Sequence, residues 1–210
     1  SDQDEHSGGD EETEAKIPLF GKSVMPLWFI GFGLLAALIA EGSASDWGAL
    51  LLRDDMGIGK GVNASAYASF ALAMITARFL GDRALDHFGP ARLVRICGYF
   101  GALGWGASIA IAVPLSESNP LIALIVINLG FVIAGLAIGP MFPAFILAAS
   151  AIPGIAPSVS SARAFVIGLS GFFIGPSIIG FLAEGTSISV AMAFPILALL
   201  VAGFLSRVIK

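Results

Sequence analysis

The 210 residues are 57 % hydrophobic and only 12 % charged, with a mean hydropathy of +0.91. A soluble domain carries roughly 25 % charged residues, and several apolar runs here reach the roughly 18 to 20 residues that cross a bilayer core. A water-soluble domain is thereby excluded, and the chain reads as a polytopic helical membrane protein.

The net charge of −4 comes from one end. Seven of the fifteen acids fall in the first fourteen residues, and the remainder is mildly positive. Cys97 stands alone, which rules out an internal disulfide, and two distant His with one Cys make no structural zinc set. Residues 1–22 open with an acidic polar run that buries too little apolar surface to order itself, so a disordered linker is expected. Ser1 without a cationic n-region speaks against a signal peptide and for a fragment or a processed chain.

Residues 23–210 divide into six spans. The first is expected over about 24–52, because 23–40 carry no charge and the helix continues past Glu41 and Asp46. Gly57, Gly59 and Gly61 turn the chain between Arg53 and Lys60. The second span covers about 62–80, a charged loop about 82–92, and the third span about 93–114. Residues 118–162 hold no charge and are too long for one crossing at about 1.5 Å per residue, so a turn is required within them. Ser150-Ala-Ile-Pro-Gly-Ile-Ala-Pro-Ser158 supplies it, separating a fourth span at 120–148 from a fifth at 160–183. The sixth covers 188–206.

Cations set the orientation. With the first helix starting inside, nine of the eleven Lys and Arg fall on the inner face: Lys16, Lys22, Arg78, Arg83, Arg92, Arg95, Arg163, Arg207 and Lys210. Arg53 and Lys60 fall outside. Both termini are expected in the cytoplasm, with the protein in the cell inner membrane. Gly135-x-x-x-Gly139 and Gly171-x-x-x-Gly175 predict close helix approach, and Pro140, Pro143, Pro176 and Pro195 predict bends in the last three spans.

The stretch Gly81-Asp82-Arg83-Ala-Leu-Asp86-His87-Phe-Gly89-Pro-Ala-Arg92 resembles the signature of the major facilitator superfamily on the loop after the second helix of each half. It departs from the family form in three places. Gly81 lies five residues before Asp86, His87 stands for the usual Arg or Lys, and Pro90-Ala91 precedes Arg92. Such erosion is expected of the copy in the second half. Two further stretches, Glu41-Gly-Ser-Ala-Ser-Asp-Trp47 onward to Arg53 and Ser161 to Glu184, are similar to fucose-permease-like bacterial members.

The resemblance implies an all-α fold of two inverted three-helix repeats, about 23–114 and 118–208. It also implies that the chain is the C-terminal six-helix half of a twelve-helix secondary transporter. The partners implied are the bilayer, an N-terminal half (covalent or separate), and a small solute with or without a proton. No cofactor, metal or nucleic acid is expected, and no enzymatic activity. In the family the loop acts as a cytoplasmic gate. Here that role falls on Gly81, Asp82, Arg83, Asp86, Gly89 and Arg92, with Arg78 and Arg163 beside them. Asp86 would sit at the N-terminus of a neighbouring helix, and Arg78 and Asp82 could pair at i,i+4.

Glu41, Asp46, Ser45 and Asn128 are the candidates for solute or proton binding. An ionisable group inside a span is costly, and a functional role is its default reading. The alternative places both acids in the outer headgroup layer, with Trp47 as interfacial anchor. Asn128 either meets solute or ties helices together. Trp105, Tyr67 and Phe70 either stack on a ring or pack the core. The few polar residues fit a neutral solute such as a sugar, or an exported hydrophobic compound.

Two motifs fail on context. Gly31-Phe-Gly33-Leu-Leu-Ala36 has dinucleotide spacing but follows no strand, and Gly21-Lys22-Ser23 lacks the first glycine of a phosphate loop. The enzymatic rival is an intramembrane serine protease of rhomboid type with Ser170 as nucleophile, in Gly168-Leu-Ser170-Gly171. No His follows residue 87 to act as its base. A non-transporting sensor or assembly component is the third reading.

Overall fold

A computed structural model describes Gly21 and residues 24–209. The rest of the expected acidic linker, with Lys16 and Lys22, and also Lys210, lie outside the described residues. Six helices are long and apolar enough to cross a membrane: Met25–Asp55, Val62–Phe88, Pro90–Leu115, Pro120–Ser150, Pro157–Gly185 and Ile188–Val208. Among the described residues there is no strand. The architecture is all-helical, as an MFS half-bundle requires.

The first helix is the centre of the bundle. Over its most apolar stretch 78 % of the residues are buried, against 22 % to 44 % in the other five. It packs against every other helix except the third at more than a marginal level, the fifth most extensively. That burial follows from composition, since between Ile30 and Ala44 it presents small and branched apolar residues on every side. Its last turn, Leu51–Asp55, widens into a π-helix, a form that recurs where a helix must adjust locally.

Small residues set the close contacts. A Cβ on Gly139 would lie 2.9 Å from the Met74 carbonyl, and Gly135 faces the Phe70 carbonyl on the same helix. Gly171 and Gly175 do the same against Leu35 and Ile39 of the first helix. Gly98 of the third helix touches the sixth at Gly203, where an added Cβ would sit 2.7 Å from backbone atoms. In lipid, where apolar side chains gain little by leaving one solvent for another like it, such backbone approach supplies dispersion contacts that larger residues would forbid.

The last three helices are broken near their prolines. The fourth is interrupted at Gly139–Pro140, between Pro120–Ile138 and Met141–Ser150. The fifth breaks at Ser170, with Pro176 inside the segment Gly171–Gly185. The sixth breaks at Met192, where Pro195 deprives the preceding turn of a donor.

One expectation is corrected. Residues 82–88 are not a loop: the second helix continues unbroken through Gly81 to Phe88, and the third begins at Pro90. The connection is the single residue Gly89, at φ 70°, whose N–H donates to the Leu85 carbonyl at 2.8 Å. Charged residues on an exposed helical extension are as well hydrated as in a loop. Only Gly89, in a conformation L-residues avoid, and Pro90, lacking an N–H, end the helix.

Candidate functional site

Glu41 lies midway along the first helix. At about 1.5 Å per residue it sits roughly 24 Å from Met25 and roughly 21 Å from Asp55. Its side chain is only 12 % exposed, and its Oε1 accepts a 3.0 Å hydrogen bond from Nη2 of Arg78 on the second helix. Glu41 is enclosed within the bundle rather than set at the end of its helix. The same contact corrects the expected Arg78–Asp82 pair, because Arg78 turns to the neighbouring helix and lies roughly 15 Å back from Phe88.

This is a charge pair of unequal members. Arg78 keeps 47 % of its side chain exposed while Glu41 is enclosed. A guanidinium carries five N–H donors, and Glu41 is its one partner among the described residues. An unpaired charge at this depth costs several kcal/mol by insertion scales. The pair lowers that cost while engaging one of the arginine's five donors.

The other candidates are spread around it. Ser45 is half-buried, and its hydroxyl donates to the Glu41 carbonyl at 2.9 Å, which spends it on its own helix. Asp46 is exposed. Trp47 packs over Gly180 of the fifth helix. Asn128 lies on the fourth helix, where Nδ2 donates to the Leu124 carbonyl at 2.8 Å and Oδ1 accepts from the Ser69 hydroxyl at 2.8 Å. It thereby joins the fourth helix to the second. Trp105 and Phe70 are fully buried, Trp105 edge-on to Phe131 with ring centroids 5.7 Å apart, while Tyr67 is exposed.

The expected gate residues form a solvated end rather than a cluster. Asp82, Arg83, Asp86 and Arg92 are exposed, and among the described residues none is in an ion pair. Arg92 lies over the Phe88 ring at 5.7 Å. Gly81 is buried and Gly89 makes the turn. Arg163 stands apart from them, beside Trp28, in an apolar cleft of about 310 Å³ between the first and fifth helices.

Three polar contacts had no advance signal. Ser69 is the partner of Asn128. At the other end of the bundle, Asp55 Oδ2 accepts from the Ser189 N–H at 2.7 Å, tying the first helix to the start of the sixth. Asn63 Nδ2 donates to the Ala49 carbonyl at 3.2 Å. Ser170, the nucleophile of the protease reading, donates to the Ile167 carbonyl at 2.6 Å. His87, the one histidine among the described residues, is on the exposed end of the second helix.

No protein-family model and no solved structure matches the chain. It is 30 % identical over 181 residues to an uncharacterized MFS-type transporter of Yersinia pestis, a match covering 86 % of this chain and 44 % of that protein. It is 28 % identical over 161 residues to an uncharacterized transporter of Sinorhizobium fredii, covering 77 % and 40 %. It is 30 % identical over 165 residues to the membrane protein MosC of Rhizobium meliloti, covering 78 % and 38 %. The chain spans less than half the length of each of these curated relatives. Two of these three relatives are named as transporters, one of them of MFS type, and this chain's six helices are long and apolar enough to cross a membrane.

Proposed function

We propose that this chain is the C-terminal six-helix half of a secondary transporter of the major facilitator type, akin to the fucose-permease-like members. In this reading it moves a small solute by alternating access, with Glu41 and Arg78 at the polar centre of the pathway. The observation that carries the reading is their ion pair, held at mid-helix depth among apolar residues. A membrane protein with no use for a charge there is better served by two apolar side chains, since buried pairs seldom repay their desolvation.

Several features support the rest. The relatives are more than twice as long as the matched segment, which leaves room for an N-terminal bundle. A substrate site between two inverted-repeat halves lies at the midplane in transporters so built, and Glu41 stands midway along the first helix. Breaks at Gly139–Pro140, Ser170 and Met192 supply hinge points in the second group of three helices. The cation distribution favours cytoplasmic termini in an inner membrane, with Asp82 to Arg92 on the cytoplasmic side as a gate.

The test is uptake by the intact transporter in proteoliposomes under an imposed pH gradient. Glu41→Gln is expected to abolish gradient-driven accumulation while leaving exchange of solute measurable. Unchanged accumulation and unchanged pH dependence in that variant would remove Glu41 from the mechanism. Absence of any flux, with the protein correctly inserted, would favour a sensor or assembly component.

A further inference from the structure

We propose that the Glu41–Arg78 pair is a carboxylate-exchange site: when Glu41 takes a proton, Arg78 is released to bind the carboxylate of a small organic anion, and proton and anion cross together. The inference rests on the transport reading and adds the class of substrate.

The asymmetry of the pair is the starting point. Glu41 is enclosed and monodentate, while Arg78 is half-exposed and offers further N–H groups beyond the one given to Glu41. A guanidinium fork matches a planar carboxylate through two parallel hydrogen bonds, so the open side of Arg78 is a preformed half of such a contact. A neutral sugar would satisfy those donors but leave the charge balance unchanged. A cation would meet like charge.

Charge accounting then selects the anion. With Glu41 ionised the site is neutral. Protonation of Glu41 transfers one proton to its carboxylate, converts the charge-assisted bond to a weaker one, and leaves Arg78 as a cation without a counter-charge beside the enclosed carboxyl. An incoming monoanion restores neutrality, and one proton with one monoanion moves no net charge. Release reverses the steps: Glu41 loses its proton, recovers Arg78 and displaces the anion.

No other described charge is placed to do this. On the first helix itself Asp46 is exposed and lies about 140° round the helix from Glu41, at about 100° per residue. On the second helix Asp82 and Arg83 lie at least one turn nearer the Phe88 end. The third helix carries Arg92 and Arg95 in its first two turns, beyond the Phe88 end of the second, and Arg95 donates to the Ser206 hydroxyl; the fourth carries no charge at all. The fifth has Arg163 near one end and Glu184 near the other, and the sixth has only Arg207 at its last turn.

The experiment uses the intact transporter, purified in detergent and also reconstituted. Thermal stabilisation by sodium acetate, lactate and benzoate is measured against sodium chloride at equal ionic strength, for wild type, Glu41→Gln, Arg78→Gln and the double variant. Glu41→Gln mimics the protonated carboxyl and keeps Arg78 free. It should bind carboxylates about tenfold more tightly than wild type at neutral pH, the effect of losing one charge-assisted competitor, and without the pH dependence of wild type. Arg78→Gln and the double variant should show no carboxylate effect, and Arg78→Lys should recover part of it.

If Glu41→Gln responds to carboxylates no more than Arg78→Gln does, the inference is overturned. Carboxylate binding at Arg78 without pH-gradient-driven flux of labelled lactate or benzoate in proteoliposomes would keep the site and defeat the transport reading. Flux of a neutral sugar or of tetraphenylphosphonium that survives Arg78→Gln would keep transport and defeat the anion.

Discussion

Glu41 and Arg78 are separated by 37 positions in the chain and meet at 3.0 Å between the first and second helices, an enclosed carboxylate against a half-exposed guanidinium. Their unequal burial makes their removal unequal. Arg78→Gln strands an enclosed carboxylate, whereas Glu41→Gln leaves a cation that can extend along its stem to find water or headgroups. Arg78→Gln should therefore destabilise the bundle by about 1–3 kcal/mol, below the full figure for a wholly buried pair because Arg78 is half-exposed. Glu41→Gln should cost less, and the double variant less than the two together. Unfolding titrations in mixed detergent micelles read all four points. Equal costs that simply add would show that the two charges do not depend on each other.

The third helix offers a paired test of backbone contact. A Cβ on Gly98 would lie 2.7 Å from the Gly203 backbone, while one on Gly106 would lie 3.5 Å from the flexible end of Ile196. Gly98→Ala must push two helices apart and should cost about 1–3 kcal/mol. Gly106→Ala meets ordinary contact and gains helix propensity, so it should be neutral or stabilising by up to about 1 kcal/mol. Thermal melts of the two purified variants decide it. A Gly98→Ala protein as stable as Gly106→Ala would mean the third and sixth helices are not in backbone contact.

Hydropathy and punctuation made the frame legible. Uncharged runs place the six spans, and Gly, Pro and Asn place most of their ends, because a membrane leaves the chain few alternatives to a long helix. What failed at residues 82–88 was the assumption that charge marks a loop. Asp82, Arg83, Asp86 and His87 prolong the helix into water at no cost in hydration, and spacing alone says nothing about where it stops. The site was legible in part. Glu41 stands out in any reading because it interrupts an apolar run. Its partner does not, since sequence spacing compares Arg78 with Asp82 on the same helix and is blind to a helix packed alongside. Trp105 shows the same blindness, being a stacking candidate by type and a fully buried core residue by position.

At the far end of the bundle, Asp55 holds the start of the sixth helix through the Ser189 N–H at 2.7 Å, beside Ser187, which caps Val190. A carboxylate on the first N–H groups of a helix satisfies donors that no residue within the helix can reach. Asp55→Ala should raise hydrogen exchange at the amides of residues 188–192 and cost about 0.5–2 kcal/mol. Asp55→Asn keeps an acceptor oxygen and should lose only part of that protection. Exchange unchanged in Asp55→Ala would place the restraint on the sixth helix in Ser187 alone.

Asn128 carries two readings, and its geometry separates them. Its Oδ1 accepts from Ser69 and its Nδ2 donates to the Leu124 carbonyl, both at 2.8 Å, so its polar atoms are engaged between the fourth and second helices. Interhelical hydrogen bonds of this kind average about 0.6 kcal/mol in lipid and reach about 1.7. If the bond is what matters, Asn128→Ala and Ser69→Ala should lower stability by similar amounts. The double variant should then lose little more, with transport affected only as far as stability is. If Asn128 also meets solute, Asn128→Ala should raise the KM for uptake while Ser69→Ala, which removes the same bond from the other side, should not. Measuring uptake and unfolding on the two single variants therefore separates a helix tie from a solute contact. Ser69 is the better control for it than any substitution at Asn128 itself.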